Sequence, residues 1–149
     1  MKQILEKSYL LTPADHQRHL EIPFHLDQQY ENMYLHFSYS PKLVEEKRAL
    51  ILIQEHLEKV IPEELMGVWG DATRYLPLEN FITLSLDDNQ QYVGARHYKD
   101  TTQDIVISEN GSTKGFLKVP VAQGEWCIRM NMHCLQSEEV RLHVKVSVD

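Results

Sequence analysis

Cysteine is scarce in this sequence: its 149 residues contain only two, Cys127 and Cys134. Both fall in one predicted strand, where seven positions at about 3.3 Å each separate them by roughly 23 Å and point them to opposite faces. A disulfide between them is excluded, because bridged cysteines have Cα atoms within about 7 Å of each other. Two thiols also fall short of the four ligands of a structural zinc site. We therefore expect a fold that needs neither a disulfide nor a structural metal ion.

Long apolar runs and an excess of positive charge are also missing. No stretch approaches the ~20 apolar residues that cross a membrane, and residues 1–7 lack the apolar segment of a signal peptide. Lysine and arginine number 15 against 22 aspartate and glutamate residues, which gives a net charge of −7. Nucleic-acid binding draws its affinity from clustered cations. We expect a cytoplasmic protein with neither a membrane nor a nucleic acid as partner.

Catalytic motifs are absent as well. The eight histidines form no His-Glu-x-x-His or His-x-His pattern, and no Gly-x-Ser-x-Gly elbow or phosphate-binding glycine loop occurs. Neither cysteine has an activating histidine near it in sequence. We expect a protein that is not an enzyme and that holds no cofactor and no metal.

Alternating apolar residues predict strands in most of the chain. A chain of this length suits a single domain, residues 1–149, in which residues 1–15 are interpreted as a lead-in segment. Pro23 interrupts the first predicted strand and favours a sheet edge, because proline donates no ladder hydrogen bond. Asp27-Gln28-Gln29 is interpreted as a hairpin connection to the second strand. The inward-facing residues of these two strands are Leu20, Ile22, Phe24 and Leu26, then Met33, Leu35, Phe37 and Tyr39.

A helical period follows over residues 42–61. Apolar residues recur there at spacings of three, four and seven, which predicts an amphipathic helix. Ser40 is the predicted cap, Pro41 the first helical residue and Pro62 the terminator. The apolar run of residues 50–53 is wider than one helix face requires. Either the helix closes one end or face of the sandwich, or it provides a surface for a protein partner or a second copy of the chain.

The second half of the chain is almost entirely strand. Residues 82–86 alternate and end at a turn around Asp88, residues 104–108 form another strand, and two further strands lie on either side of Ser137. We expect these last two strands to pair as a hairpin in which Met132 opposes Leu142. Their outer face is then a cationic, histidine-bearing strip that is either an ordinary solvated face or a surface for an anionic ligand or partner. Its residues include Arg129, His133, Arg141 and His143.

Two short segments are further candidates for ligand binding. Residues 67–77 read as a loop that carries Trp69, Arg74 and Tyr75, a combination suited to stacking on a sugar ring. The alternative is that the two aromatic rings tuck into the sandwich edge. A bend at Gly94 carries Arg96 and His97, which either orient a ligand carboxylate or phosphate or are simply solvated.

The order of several segments resembles a known family. The segments are residues 19–23, 35–41, 80–88 and 107–116, followed by Gly124-Glu125-Trp126. Together they look like the N-terminal β-sandwich that precedes the catalytic domain in PHP-type metallohydrolases of the carbaryl-hydrolase-like group. The His-x-His motif that opens that catalytic domain is missing, so the family's hydrolysis does not carry over. The resemblance implies an accessory sandwich that acts beside a hydrolase or recognises a ligand itself.

These observations predict an all-β fold, an antiparallel β-sandwich that is jelly-roll-like or immunoglobulin-like, with one amphipathic helix inserted between its second and third strands. The leading functional prediction is a non-catalytic binding or interaction module. It works either by capturing a ligand such as a carbohydrate through the loop at 67–77, or by protein association through the helix or the cationic face. The contrasting prediction is a small metal-dependent enzyme that uses His97, His133 and His143.

Overall fold

The computed structural model describes all 149 residues. It confirms an all-β fold with a helical insertion. The strands are β1 (Lys2–Leu11), β2 (His19–Leu26), β3 (Asn32–Ser40), β4 (Phe81–Asp88), β5 (Tyr92–Arg96), β6 (Thr102–Ser108), β7 (Gly124–Cys134) and β8 (Val140–Val148), and the helices are α1 (Glu46–Val60) and α2 (Met66–Trp69). Neither helix has the length and apolar character needed to cross a bilayer.

The strands form two antiparallel sheets of four. Sheet I has the order β1-β8-β3-β6, and sheet II has the order β2-β7-β4-β5. β1 pairs with β8, β2 with β7, β3 with β6 and β4 with β5. The chain therefore resembles one long hairpin that turns between β4 and β5 and has been rolled up. This is the jelly-roll arrangement, and it decides against the immunoglobulin-like alternative.

The core lies between the two sheets and contains the inward-facing residues that the alternation predicts. Phe37, Leu84 and Met130 are completely buried. Phe24 and Trp126 stack with ring centroids 6.5 Å apart. Full burial of a large apolar side chain stabilises a fold by about 1.5–3 kcal/mol, so the two inner faces account for most of the driving force that joins the sheets.

The edge position of β2 is also confirmed. Sheet II begins with β2, which pairs only with β7. Pro23 lies opposite Cys127 in that pairing. Proline has no N–H to donate to a neighbouring strand. An edge strand tolerates it because one side of such a strand has no neighbour, so no hydrogen bond of the sheet is lost when the proline nitrogen faces that side.

The interpretation of residues 1–15 as a lead-in segment is wrong. Residues 2–11 form β1, which pairs with β8 along its whole length. Two features hide the period of two: a register shift between Gln3 and Leu5, and Lys7, which lies opposite core residue Val144. An edge strand tolerates such a lysine because its long stem reaches past the apolar surface to water. The helical insertion therefore falls between the third and fourth strands.

Both predicted hairpins are wrong too, because β2 and β3, like β7 and β8, belong to different sheets. Met132 pairs with Ile82 in sheet II, whereas Leu142 pairs with Tyr39 in sheet I. Alternation tells which side chains face the core. It does not tell whether two strands lie side by side or face each other across that core, since both arrangements put the same residues inside.

The helix prediction is confirmed in existence but not in its start. Residues 42–44 stay extended because their backbone bonds to residues 78–80: the Val44 N–H donates to the Leu78 carbonyl at 2.9 Å, and Lys42 accepts from the Asn80 N–H at 2.8 Å. Ser40 ends β3 instead of capping the helix, and α1 begins at Glu46. Its end at Val60 agrees with Pro62 as terminator.

One buried side chain joins three segments at this end of the sandwich. Asn80 is 2% exposed. Its amide nitrogen donates to the Ser137 hydroxyl at 2.7 Å and the Pro41 carbonyl at 3.0 Å. Its amide oxygen accepts the backbone N–H groups of Gln136 at 2.9 Å and Ser137 at 3.3 Å. The start of β4, the lead into α1 and the β7–β8 connection therefore meet at one amide.

We expect Asn80→Ala to lower the free energy of unfolding by about 3 kcal/mol or more. One buried and two partly buried backbone groups lose their partner, as does the buried Ser137 hydroxyl, and each unsatisfied buried group costs about 1–3 kcal/mol. Urea denaturation followed by circular dichroism measures the loss. Asn110→Ala is the control, because Asn110 lies in an exposed turn where a substitution changes stability by about 0.5 kcal/mol or less. Equal losses of stability in the two variants would contradict the role given to the Asn80 hydrogen bonds.

Candidate functional site

The predicted cationic face does not exist as one surface. Arg129 and His133 lie on β7, on the outer face of sheet II, whereas Arg141 and His143 lie on β8, on the outer face of sheet I. The physical reason is the placement of β7 and β8 in opposite sheets, which turns their outer faces away from each other. The two halves must therefore be considered separately.

Arg129 is committed to ion pairs within sheet II. Its guanidinium donates to Glu21 at 3.2 Å and to Asp87 at 3.3 Å. The hydrogen bond to Glu21 is the main cause that raises the pKa of Arg129; burial opposes it, and the negative charges of Asp87 and Glu21 add to the rise. An anionic ligand would have to displace two carboxylates here, so this half of the predicted face is poorly suited to bind one.

His133 lies in a packed histidine cluster on the same face. Its ring stacks on Phe81 at 5.0 Å and lies 5.5 Å from the ring of His97, and its Nε2 is 2.8 Å from the Thr83 hydroxyl. Burial, first, and then the positive charges of His97 and His19 lower the pKa of His133. His133 itself therefore resists protonation.

The predicted bend at Gly94 is instead part of β5. Gly94 has a φ of +156° and forms a bridge with Phe116, and a Cβ there would collide with the Gly115 carbonyl oxygen. The glycine therefore marks a close approach of two backbones, which is one reason for glycine to occur inside a strand. The following Arg96 stacks its guanidinium on Tyr98 at 4.1 Å, and its Nε is buried without a hydrogen-bond partner.

Arg96 and His97 do not form a shared ligand site. Arg96 reaches towards sheet I, where one of its nitrogens lies 3.5 Å from the Asp104 carbonyl, whereas His97 contacts His133. The predicted catalytic histidines are not assembled either, because His143 lies on the other sheet. No group of three or more His, Cys, Asp or Glu side chains is arranged to hold a metal ion.

Trp69, Arg74 and Tyr75 are brought together, although not by a loop. Trp69 ends α2, and Asp71 caps a 3₁₀ turn over Ala72–Tyr75 by accepting the Thr73 N–H at 3.0 Å. The Tyr75 hydroxyl donates to the Trp69 carbonyl at 2.9 Å, and the Arg74 guanidinium lies 5.7 Å from the Trp69 ring. Trp69 is 49% exposed and Tyr75 is 42% exposed, so neither ring is tucked away in the sandwich edge.

An apolar groove lies beside α1, the helix for which the sequence offered an association surface, although the groove itself was not predicted. It encloses about 530 Å³ and lies between α1, Tyr75 and the end of β7. Eight of its ten lining residues are hydrophobic, and none is Asp, Glu, Lys or Arg. The wide apolar run at residues 50–53 was the available signal, because two of its members, Leu52 and Ile53, line the groove. Cys134 lines it as well, and burial raises the pKa of its thiol.

Comparisons with known proteins do not assign this chain to a family. No protein-family model matches the chain, and no curated protein matches it. The crystal structure of a protein from Sulfurospirillum deleyianum aligns with 96% of this chain and 98% of its own, at 13% identity and a TM-score of 0.43. A likeness of this degree assigns neither a family nor a function. The resemblance to PHP-type accessory domains stays a prediction.

We expect His133 to make the fold sensitive to mild acid. The pKa of His133 is lowered in the folded state, so below the ordinary histidine pKa of about 6.5 the unfolded chain binds more protons and stability falls. His133→Gln should therefore lose less unfolding free energy than the wild type between about pH 7.5 and pH 5.5. Denaturation at both pH values measures this. Asn110→Ala, which removes no titratable group and lies in an exposed segment, should lose as much as the wild type; equal behaviour of all three proteins would contradict the prediction.

Proposed function

We propose that this protein is a non-catalytic interaction module that associates with a second copy of itself through the apolar groove beside α1. The observation that supports this most directly is the apolar character of the insertion. Of the residues of α1, only Ala49 and Leu57 are buried, and in the groove wall Val60 is 56% exposed and Tyr75 is 42% exposed. Exposed apolar surface of this kind marks interaction sites on soluble proteins.

The same insertion also carries a projecting apolar part. Val68 is 57% exposed and Trp69 is 49% exposed. The projection borders the groove, because the Tyr75 hydroxyl, from the groove wall, bonds to the Trp69 carbonyl. One two-fold axis would place the projection of each copy against the groove of the other, as in an isologous interface. The shared presence of a concave and a convex apolar part in one segment is why we choose a second copy as occupant.

Charge does not oppose this arrangement at the contact itself. Each chain carries a formal charge of −7, and two such chains repel each other over a distance of about 10 Å at roughly 0.1 M salt and about 30 Å at roughly 0.01 M. The groove lining contains no acidic residue, so the approaching surfaces bury no unpaired carboxylate. Association should therefore strengthen as salt screens the remaining repulsion.

The cellular setting follows from the sequence rather than from the fold. A cytoplasmic location remains our proposal for the protein. A role beside a metal-dependent hydrolase rests on the resemblance to PHP-type accessory domains. A small metal-dependent enzyme is not favoured, because His143 lies on a different sheet from His97 and His133.

Carbohydrate binding is the second candidate function. Trp69 offers a half-exposed indole ring beside a guanidinium, and such rings bury the apolar side of a pyranose while the cation bonds its hydroxyls. Arg74 is already stacked near the indole ring and donates to the Val68 carbonyl at 2.9 Å. A sugar would therefore use the ring face that Arg74 leaves open.

Replacing Ile53 by glutamate should convert a dimer into a monomer, because Ile53 lines the groove and a charge there would be buried on association. Sedimentation equilibrium measures the mass. Ile51→Glu is a matched control: Ile51 is 61% exposed and lies about 200° around the helix from Ile53, so its variant should stay dimeric. A monomeric wild type, or an unchanged mass for Ile53→Glu, would contradict the proposed dimer.

If carbohydrate is the ligand, Trp69→Ala should abolish glycan binding and leave the melting temperature nearly unchanged, because Trp69 is half-exposed. A glycan array followed by calorimetric titration with the best hit measures binding. Tyr92→Ala removes another exposed aromatic ring, one on sheet II, and should keep wild-type affinity. The candidate is removed if the wild type binds no glycan, and a large drop in melting temperature would show that Trp69 is structural.

A further inference from the structure

A second groove crosses the outer face of sheet I, and it encloses about 580 Å³. Four of its residues form one row across all four strands of the sheet. Ser8 on β1 pairs with His143 on β8, His143 pairs with Ser38 on β3, and Ser38 pairs with Thr102 on β6. Directly opposed residues on one face have Cβ atoms about 5 Å apart, so each polar group lies close to its neighbour in the row. The whole row, from Ser8 to Thr102, spans about 14 Å, since neighbouring strands lie about 4.8 Å apart.

The adjacent row supplies a cation. Arg141 on β8 lies between Leu10 on β1 and Ser40 on β3. The groove is lined in addition by Thr101, which brings its hydroxyl-bearing serine and threonine residues to five. All five, and the guanidinium, can donate hydrogen bonds into the groove. A wide array of donors with one fixed positive charge is the chemistry that recognises an oxyanion.

The groove contains no competing carboxylate. None of its eleven lining residues is Asp or Glu, although the chain has 22 acidic residues and a net charge of −7. The neighbouring groove on the same sheet does include acidic residues, Glu6 and Asp104. An anion entering the groove at Arg141 therefore meets a guanidinium and hydroxyls, and no carboxylate forms part of the lining.

Arg141 also differs from Arg129 in being uncommitted. None of the six ion pairs in the protein includes Arg141, whereas Arg129 is held by two carboxylates. The histidine of the groove, His143, is oriented from outside it: its Nε2 is 2.9 Å from Glu6, and Glu6 does not line the groove. Arg141 is thus the only arginine or lysine that the groove offers to a ligand.

We propose that this groove binds a small organic phosphate, with Arg141 as the charged donor and the hydroxyls of Ser8, Ser38, Ser40 and Thr102 around it. A phosphomonoester presents three acceptor oxygens, which a carboxylate with two would match less completely. The volume lies in the range of small-molecule sites, about 300–1,000 Å³, and so leaves room for an organic group besides the phosphate. The site shares no residue with the apolar groove of α1, so the two proposals stand or fall separately.

Calorimetric titration at low salt tests the site with glucose 6-phosphate, inorganic phosphate, acetate and glucose as probes. We expect glucose 6-phosphate to bind more tightly than inorganic phosphate, acetate to bind more weakly than either, and glucose to show no binding. Arg141→Gln should weaken glucose 6-phosphate at least tenfold, since a hydrogen-bonded charge is lost. Arg18→Gln makes the same change in net charge at an exposed arginine outside the groove and should keep wild-type affinity.

Ser38→Val provides a second variant, in case Arg141→Gln disturbs the fold. It removes one hydroxyl from the centre of the row and substitutes a residue that strands favour, so binding should weaken severalfold while circular dichroism stays native. Amide NMR shifts on adding glucose 6-phosphate should concentrate at the row of Ser8, Ser38 and Thr102. The proposal is overturned if neither phosphate probe binds below about 10 mM, if glucose or acetate binds as well as glucose 6-phosphate, or if both arginine variants weaken binding equally.

Discussion

The buried amide of Asn80 is the point on which the arrangement of this end of the molecule depends. It joins the position just before β4 to the two segments that leave the sandwich nearby, at Pro41 and at Gln136 and Ser137. A buried amide has two donors and one strongly accepting oxygen, and here all of them are used. Because alternation in the strands leaves open which sheet a strand joins, such fixed connections are what direct the chain from one sheet to the other.

The helical insertion depends on the same region. Residues 42–44 and 78–80 bond to each other through their backbones, so the insertion leaves and rejoins the sandwich at one place. Its outward surface is free to be apolar because the sheets on which the fold depends bury their own core without it. The groove beside α1 is therefore a feature that the fold positions but does not need, which is the usual relation between a scaffold and a binding surface.

The two sheets present different outer faces to solvent. The outward-facing groups of sheet II have partners within the sheet: Arg129 bonds to two carboxylates, and the ring of His133 packs on those of Phe81 and His97. Sheet I also contains paired groups, with Glu6 on His143 and Asp104 on His36, but one end of it keeps Arg141 and a set of hydroxyls unpaired. One net charge for the whole chain conceals this difference between its two faces.

How much the sequence predicted depended on the range of the interactions involved. Residues such as Ile22, Leu84 and Val144 were predicted to be inside because the period of two is local. The edge position of Pro23 was predicted for a similarly local reason. The pairing of β7 with β2 and β4, and of β8 with β1 and β3, requires contacts far apart in sequence, so the joint placement of Arg129 and Arg141 was wrong. The hydroxyl row across sheet I could not be foreseen for the same reason, since its four members come from four distant strands.

The rolled-hairpin pairing has a consequence for how the chain acquires its structure. Only β4 and β5 are partners that follow each other in sequence, and every further pair encloses a longer loop, up to the pair of β1 and β8. The entropy of closing a loop grows with its length, so we expect assembly to start at the β4–β5 turn and spread outwards, slowly for a chain of this size. On the ribosome, β1 leaves first and must wait for β8, with the apolar side chains of Leu5, Tyr9 and Leu11 uncovered until its partner has been made.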